Sequence, residues 1–254
     1  MKHIPNIITL CNLSAGCLAI IFILQTSESI VMLNGTASIL NLPEKITWGA
    51  LCIFIAAIID FADGFIARLF KVSSELGKQL DSLCDVVSFG VAPGCILYQL
   101  LRLSYAQQPN GLDISILYLL PALLFPLAGA YRLAKFNLND RQVYGFIGLP
   151  IPAAALVVTS LPLILHYNYF NLYTLLLNKW FLYAVIFTFS FLMISRIPLI
   201  SLKIKPGGLK ANVDKLLLVL LGIIAFIFLQ WLAVPVMLVI YIGLSLCLAK
   251  ANND

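Results

Sequence analysis

The chain has 254 residues, 61% of them hydrophobic and 11% charged, with a net charge of +5. Soluble domains are about half apolar and a quarter charged, so a water-soluble domain, a disordered chain and a disulfide scaffold are excluded, and no basic run is dense enough for nucleic acid. The surplus apolar surface needs lipid, and each of the eleven acids needs a reason for its position.

A crossing helix takes about 20 mostly apolar residues. Eight such helices are expected in chain order, near 6–25, 46–66, 82–101, 114–134, 147–166, 180–195, 214–231 and 233–249, the last two hinged near Pro235. The predicted fold class is therefore an all-α polytopic membrane protein. The first run lacks a small-residue cleavage site and is read as a span, not a cleaved signal. With the N-terminus in the cytoplasm, only Lys45, Arg102 and Lys179 of the sixteen Lys and Arg fall outside. That asymmetry follows the positive-inside rule and leaves both termini inside. The longer polar connections are 26–45 outside, and 69–81, 135–146 and 196–213 inside. The six cysteines lie in apolar stretches without a Cys-x-x-Cys pair and are read as reduced thiols. The Asn34-Gly35-Thr36 triplet is assigned no role.

Four aspartates depart from this apolar background. Asp60 and Asp63 end the second span; Asp81 and Asp85 begin the third. Spacings of three and four put each pair on one helix face. A short connection makes the helices antiparallel neighbours, so the four carboxylates converge at the cytoplasmic membrane edge. An aspartate at a helix centre costs about 2.5–3.5 kcal/mol on insertion scales, and less near the interface. Divalent cations offset both that cost and the mutual repulsion, and an all-oxygen set suits Mg²⁺, Mn²⁺ or Ca²⁺ rather than zinc. Gly64, Ala67 and Gly77 keep the facing helix surfaces small, and Arg68 adds a cation. Metals, a cation and a small-walled cleft fit a pyrophosphate carrying a nucleotide. The same carboxylates suit a divalent-cation transporter, but they lie away from the bilayer midplane and no repeated pair of broken helices accompanies them.

The spacing D-x2-D-G-x2-A-R-x8-G-x3-D-x3-D is complete from Asp60 to Asp85. It resembles the signature of the CDP-alcohol phosphatidyltransferases, with eight fixed positions over 26 residues. Segments 4–16, 88–94, 129–137 and 146–155 resemble the membrane-spanning phosphatidylserine synthases of that family. Asn12, where relatives using glycerol phosphate carry Arg, favours the same subgroup. The resemblance implies a family-type bundle in residues 1–200, with a C-terminal pair of helices in 201–254. It implies transfer of a phosphatidyl group from CDP-diacylglycerol to L-serine, or to another acceptor such as glycerol 3-phosphate, inositol phosphate or choline. It further implies two divalent ions on Asp60, Asp63, Asp81 and Asp85, with Asp85 also the general base. Gly64, Ala67, Arg68 and Gly77 would lie at the nucleotide. A homodimer in the bacterial cytoplasmic membrane is the expected setting, with the active site facing the cytoplasm. A buried carboxylate on the acceptor calls for Arg, which makes Arg132 and Asn137 the candidate acceptor residues. Asn6, Thr9 and Asn12 are candidates for contact with nucleotide, phosphate or a neighbouring helix.

Overall fold

The computed structural model describes residues 4–33, 36–42, 45–69, 75–108, 114–138, 146–199 and 213–251, and they are mostly helical. Helix α1 (Ile4–Leu24) leads through a hairpin, β1 (Ser27–Leu33) and β2 (Thr36–Leu42), to α2 (Ile46–Leu69). α3 (Glu75–Asp85), a π-helical segment (Val86–Val91) and α4 (Ala92–Ala106) run on without a break. Two 3₁₀ turns, Ile116–Tyr118 and Leu120–Leu123, precede α5 (Leu124–Leu138). Then come β3 (Phe146–Ile147), α6 (Ile151–Tyr167), the one-turn α7 (Tyr173–Leu176), α8 (Lys179–Ile194) and β4 (Pro198–Leu199). α9 (Val213–Leu229) and α10 (Ala233–Ala251) follow.

Four stretches are long and apolar enough to cross a bilayer: Asn6–Leu24, Ile46–Ile66, Glu75–Ala106 and Leu220–Leu246. α6 and α8 are apolar but shorter. The chain is thus a helical integral membrane protein.

The structure departs from the sequence expectation in four places. Residues 26–45, read as a polar connection, contain an antiparallel hairpin in which Leu33 pairs with Thr36. The two residues between them are Asn-Gly in sequence, the dipeptide most favoured in two-residue hairpins. An all-α description therefore needs this hairpin and the short β3–β4 ladder added to it. The third span begins at Glu75 rather than residue 82, which puts Gly77, Asp81 and Asp85 on one continuous helix. The span expected at 114–134 has 3₁₀ turns first, because Pro121 lacks the N–H that would extend a helix through it; the α-helix starts at Leu124. Finally, the C-terminal apolar run breaks at Gln230, whose φ is +51°, and not at Pro235. Pro235 lies in the first turn of α10, where a missing N–H costs nothing. A Cβ on Gly222 would lie 3.5 Å from Met237 Cε. Fifteen residues of straight helix would separate these positions by about 22 Å, so α9 and α10 fold back on each other although 220–246 reads as a single apolar span.

Lipid is as apolar as leucine, so close packing and hydrogen bonds carry helix association here. α1 and α2 are antiparallel neighbours and pack against the α3–π–α4 helix. Gly16 permits the closest approach: a Cβ there would sit 2.8 Å from Ser88 Cα on the π segment. Gln99 donates through Nε2 to the Ile23 carbonyl at 3.0 Å, satisfying one of the carbonyls that the end of α1 leaves open. Phe89, Ile96, Leu97, Leu100, Phe125, Ile151 and Leu182 fill the core between these helices, α5, α6 and α8. At the end of α4 remote from the aspartates, Tyr105 and Tyr183 share a 2.9 Å hydrogen bond, and Tyr183 also donates to the Tyr118 carbonyl at 2.7 Å.

One turn in this frame admits only glycine. Gly148 has φ +76°, and a Cβ on it would meet the carbonyl oxygens of Met193 and Ser195 at 2.7 and 2.8 Å. Its N–H bonds to the Ile197 carbonyl at 2.9 Å, tying the start of α6 to the end of α8. Gly148→Ala combines a strained φ with a backbone clash, which together cost on the order of 1–3 kcal/mol. A lower thermal unfolding midpoint in detergent is the expected result.

Candidate active site

The site forms between α2 and α3. Asp60 and Asp63 occupy the second half of α2, and Asp81 and Asp85 the second half of α3. α2 and α3 bring the two pairs toward one another. Asp60, Asp63 and Asp81 each present a carboxylate oxygen within 4.8 Å of the others. Asp85 stands beside this group and not in it, next to Asp60. Asp63 and Asp85 are buried. The continuous helix from Glu75 to Ala106 has 32 residues, about 48 Å at 1.5 Å per residue. Counted back from Ala106, the roughly 30 Å of hydrocarbon is used up near Asp85, so the aspartates lie at the margin of the apolar layer.

Two observations fit this site to a divalent cation. The converging ligand atoms are all carboxylate oxygens, the donor set that hard cations take; Cys84, buried on the same helix, is not among them. Asp85 Oδ1 is buried without a hydrogen-bond partner, a state that costs free energy unless a ligand or cation satisfies the oxygen.

The π-helical segment follows Asp85 directly. The Ala92 N–H bonds to the Val87 carbonyl five residues back, and the wider turn buries Ser88, Phe89 and Gly90. Ser88 Oγ then donates to the Asn12 carbonyl at 3.1 Å. Single π turns recur beside functional groups in other helices; here the segment couples the helix bearing Asp85 to α1.

Among the nucleotide candidates, Gly64 adjoins Asp63 and Gly77 lies one turn before Asp81, both half-buried. Ala67 and Arg68 belong to the last turns of α2, and their side chains lie outside the described residues. The acceptor candidates come to the site from α5. Arg132 is buried, its guanidinium 5.7 Å from the centre of the Phe136 ring. Its charge acts on Asp85, and its Nε has no hydrogen-bond partner. Asn137 Nδ2 donates at 2.8 Å to Ser82 Oγ, which lies between Asp81 and Asp85. The structure therefore brings the far end of α5 onto the aspartate helix.

Sequence reasoning did not anticipate Ser82 or Ser88. Ser82 falls in the unspecified spacing between two motif aspartates, and Ser88 reads as one small residue in an apolar run. Thr9, a candidate for contact with nucleotide, phosphate or a neighbouring helix, makes the last of these contacts: its Oγ1 donates to Asp63 Oδ2 on α2 at 2.8 Å. Asn12 is fully buried with neither side-chain polar atom bonded.

Comparisons with known proteins place the chain in a family. A model of the CDP-alcohol phosphatidyltransferase family matches residues 2–193. Over 108 residues the chain is 44% identical to a CDP-diacylglycerol–serine O-phosphatidyltransferase of Methanocaldococcus jannaschii, covering 42% of this chain and 47% of that protein. It is 32% identical over 161 residues to the protein of that name in Bacillus subtilis, covering 63% and 76%. It is 28% identical over 159 residues to an archaetidylserine synthase of Methanothermobacter thermautotrophicus, covering 62% and 56%. The alignments thus span about half the length of the first and third relatives and three quarters of the second.

Proposed function

Because the chain belongs to the CDP-alcohol phosphatidyltransferase family, we propose that it transfers the phosphatidyl group of CDP-diacylglycerol to the hydroxyl of L-serine, giving phosphatidylserine and CMP. The observation that carries this reading is the convergence of Asp60, Asp63 and Asp81 within 4.8 Å, in motif spacing, with Asp85 alongside. The names of the relatives support serine as the acceptor.

In this mechanism Asp60, Asp63 and Asp81, joined by Asp85, hold two divalent ions, Mg²⁺ or Mn²⁺. Ions held there would supply positive charge to the pyrophosphate and to the departing CMP. Asp85 takes the proton of the serine hydroxyl, a poor nucleophile until a base removes it. The serine oxygen bonds to the phosphorus that bears the diacylglycerol, and the bond from that phosphorus to the bridging oxygen of CMP breaks. Gly64, Ala67 and Gly77 wall the cytidine, and Arg68 contributes charge near the phosphates. Arg132 binds the serine carboxylate with its unpaired guanidinium edge. Asn137, engaged with Ser82, docks the end of α5 onto the site.

The same reading has eight spans with both termini in the cytoplasm, a catalytic unit in residues 1–200, a C-terminal helix pair in 201–254, and a homodimer in the bacterial cytoplasmic membrane. The diacyl chains stay in lipid while serine and the CDP head arrive from the cytoplasm.

Purified protein given CDP-diacylglycerol and Mn²⁺ is expected to release CMP only when serine is added. CMP release with glycerol 3-phosphate alone would overturn the serine assignment, and none with any acceptor would overturn the transferase. A hydrogen bond to a charged group contributes about 1.5–3 kcal/mol. Arg132→Lys and Arg132→Ala are therefore expected to raise the KM for serine about tenfold or more, with a smaller change in the KM for CDP-diacylglycerol. Equal changes in both would remove Arg132 from the acceptor site.

A further inference from the structure

Thr9 touches the metal cluster from outside the motif. It lies on α1, 54 residues before the aspartate it reaches, and its Oγ1 donates to Asp63 Oδ2 at 2.8 Å. Its side chain is 4% exposed, and that of Asp63 is 6% exposed. This is a short, dry, charge-assisted contact.

An aspartate's terminal torsion is broad and roughly two-fold. Rotamer preference therefore does not fix the plane of the Asp63 carboxylate. The Thr9 hydroxyl restrains that plane by donating to Oδ2 at 2.8 Å. A merely adhesive role for this bond is redundant. α1 is already anchored one turn further along by the Ser88 hydroxyl on the Asn12 carbonyl and by the close approach at Gly16.

We propose that Thr9 is a positioning residue for the divalent-cation site: its hydroxyl fixes the Asp63 carboxylate so that one oxygen stays directed at Asp60 and Asp81. The inference rests on the metal site of the proposed function. Partners that orient a metal ligand typically change metal affinity or activity by 10–100-fold when lost, and this one comes from the N-terminal helix, not from the signature that carries the ligands.

The test uses the full chain in detergent and follows thermal unfolding during Mn²⁺ titration. Thr9→Val keeps the side-chain shape and removes the hydroxyl; it is expected to raise the Mn²⁺ concentration for half-maximal stabilisation about tenfold. Thr9→Ser keeps the hydroxyl and is expected to stay within about twofold of the parent. Thr9→Ala carries the same comparison if the valine variant does not fold. In activity assays, the Mn²⁺ dependence is expected to shift while the KM for CDP-diacylglycerol at saturating Mn²⁺ does not. An unchanged midpoint in the variants lacking the hydroxyl, or an equal shift in Thr9→Ser, overturns the role of Thr9 and leaves the metal site standing. A parent protein that Mn²⁺ does not stabilise overturns the metal site and this inference with it.

Discussion

Asp85→Asn is expected to lower CMP release by about 10³-fold or more while leaving the protein folded. A positioned general base contributes about 10²–10⁴-fold, and asparagine can neither take the serine proton nor supply a negative oxygen to a cation. The fold is expected to respond in the opposite direction. Asp85 is buried beside Asp60, with Oδ1 unpartnered, so the metal-free protein crowds this acid against other carboxylates. Replacing it by a neutral amide of the same shape removes like-charge repulsion from the cluster. Without metal, the unfolding midpoint of the variant is therefore expected to equal or exceed that of the parent. CMP release in detergent and thermal unfolding with EDTA check the two halves. Near-normal turnover would remove Asp85 as the base, and a collapse in metal-free stability would mean that the carboxylate is structural.

Removal of divalent cations is the second large effect. Carboxylate oxygens of Asp60, Asp63 and Asp81 lie within 4.8 Å of one another. Two unit charges at that separation repel by about 3 kcal/mol at an effective dielectric of about 20. Among the described residues no Lys or Arg forms an ion pair or hydrogen bond with them; Asp63 accepts from the neutral Thr9 hydroxyl. EDTA is expected to abolish CMP release and to lower the unfolding midpoint, with Mn²⁺ or Mg²⁺ restoring both. Asp81→Ala is expected to lose activity by about 10³-fold and to lose most of the stabilisation by Mn²⁺. Full activity in EDTA, or metal stabilisation that survives the loss of Asp81, would refute a cation site at this cluster.

Much of the site was legible because its determinants are local. Asp60 and Asp63 share a face because a helix repeats every 3.6 residues, and Asp81 and Asp85 do so for the same reason. A short connection in sequence makes the two helices neighbours, as the convergence of Asp60, Asp63 and Asp81 requires. Apolar runs located most of the helices, because a span of lipid sets a minimum length. The boundaries were less legible. The third span was expected to start near residue 82; the structure carries its helix back to Glu75. The Asn34-Gly35-Thr36 triplet was assigned no role, and the hairpin pairing on either side of Asn34-Gly35 emerged only in the structure.

The sequence by itself determined that this is a helical membrane protein of the CDP-alcohol phosphatidyltransferase family, with four aspartates on two adjacent helix faces, because hydropathy, helical period and motif spacing are all properties of neighbouring residues. Only the tertiary structure decided what surrounds those aspartates. Thr9 reaches Asp63 across 54 residues, Asn137 reaches Ser82 across 55, and Ser88 reaches the Asn12 carbonyl across 76. Such contacts depend on which helices pack together, on a glycine that lets α1 approach and on a π turn that redirects the side chains after Asp85, and no local spacing in the chain encodes them.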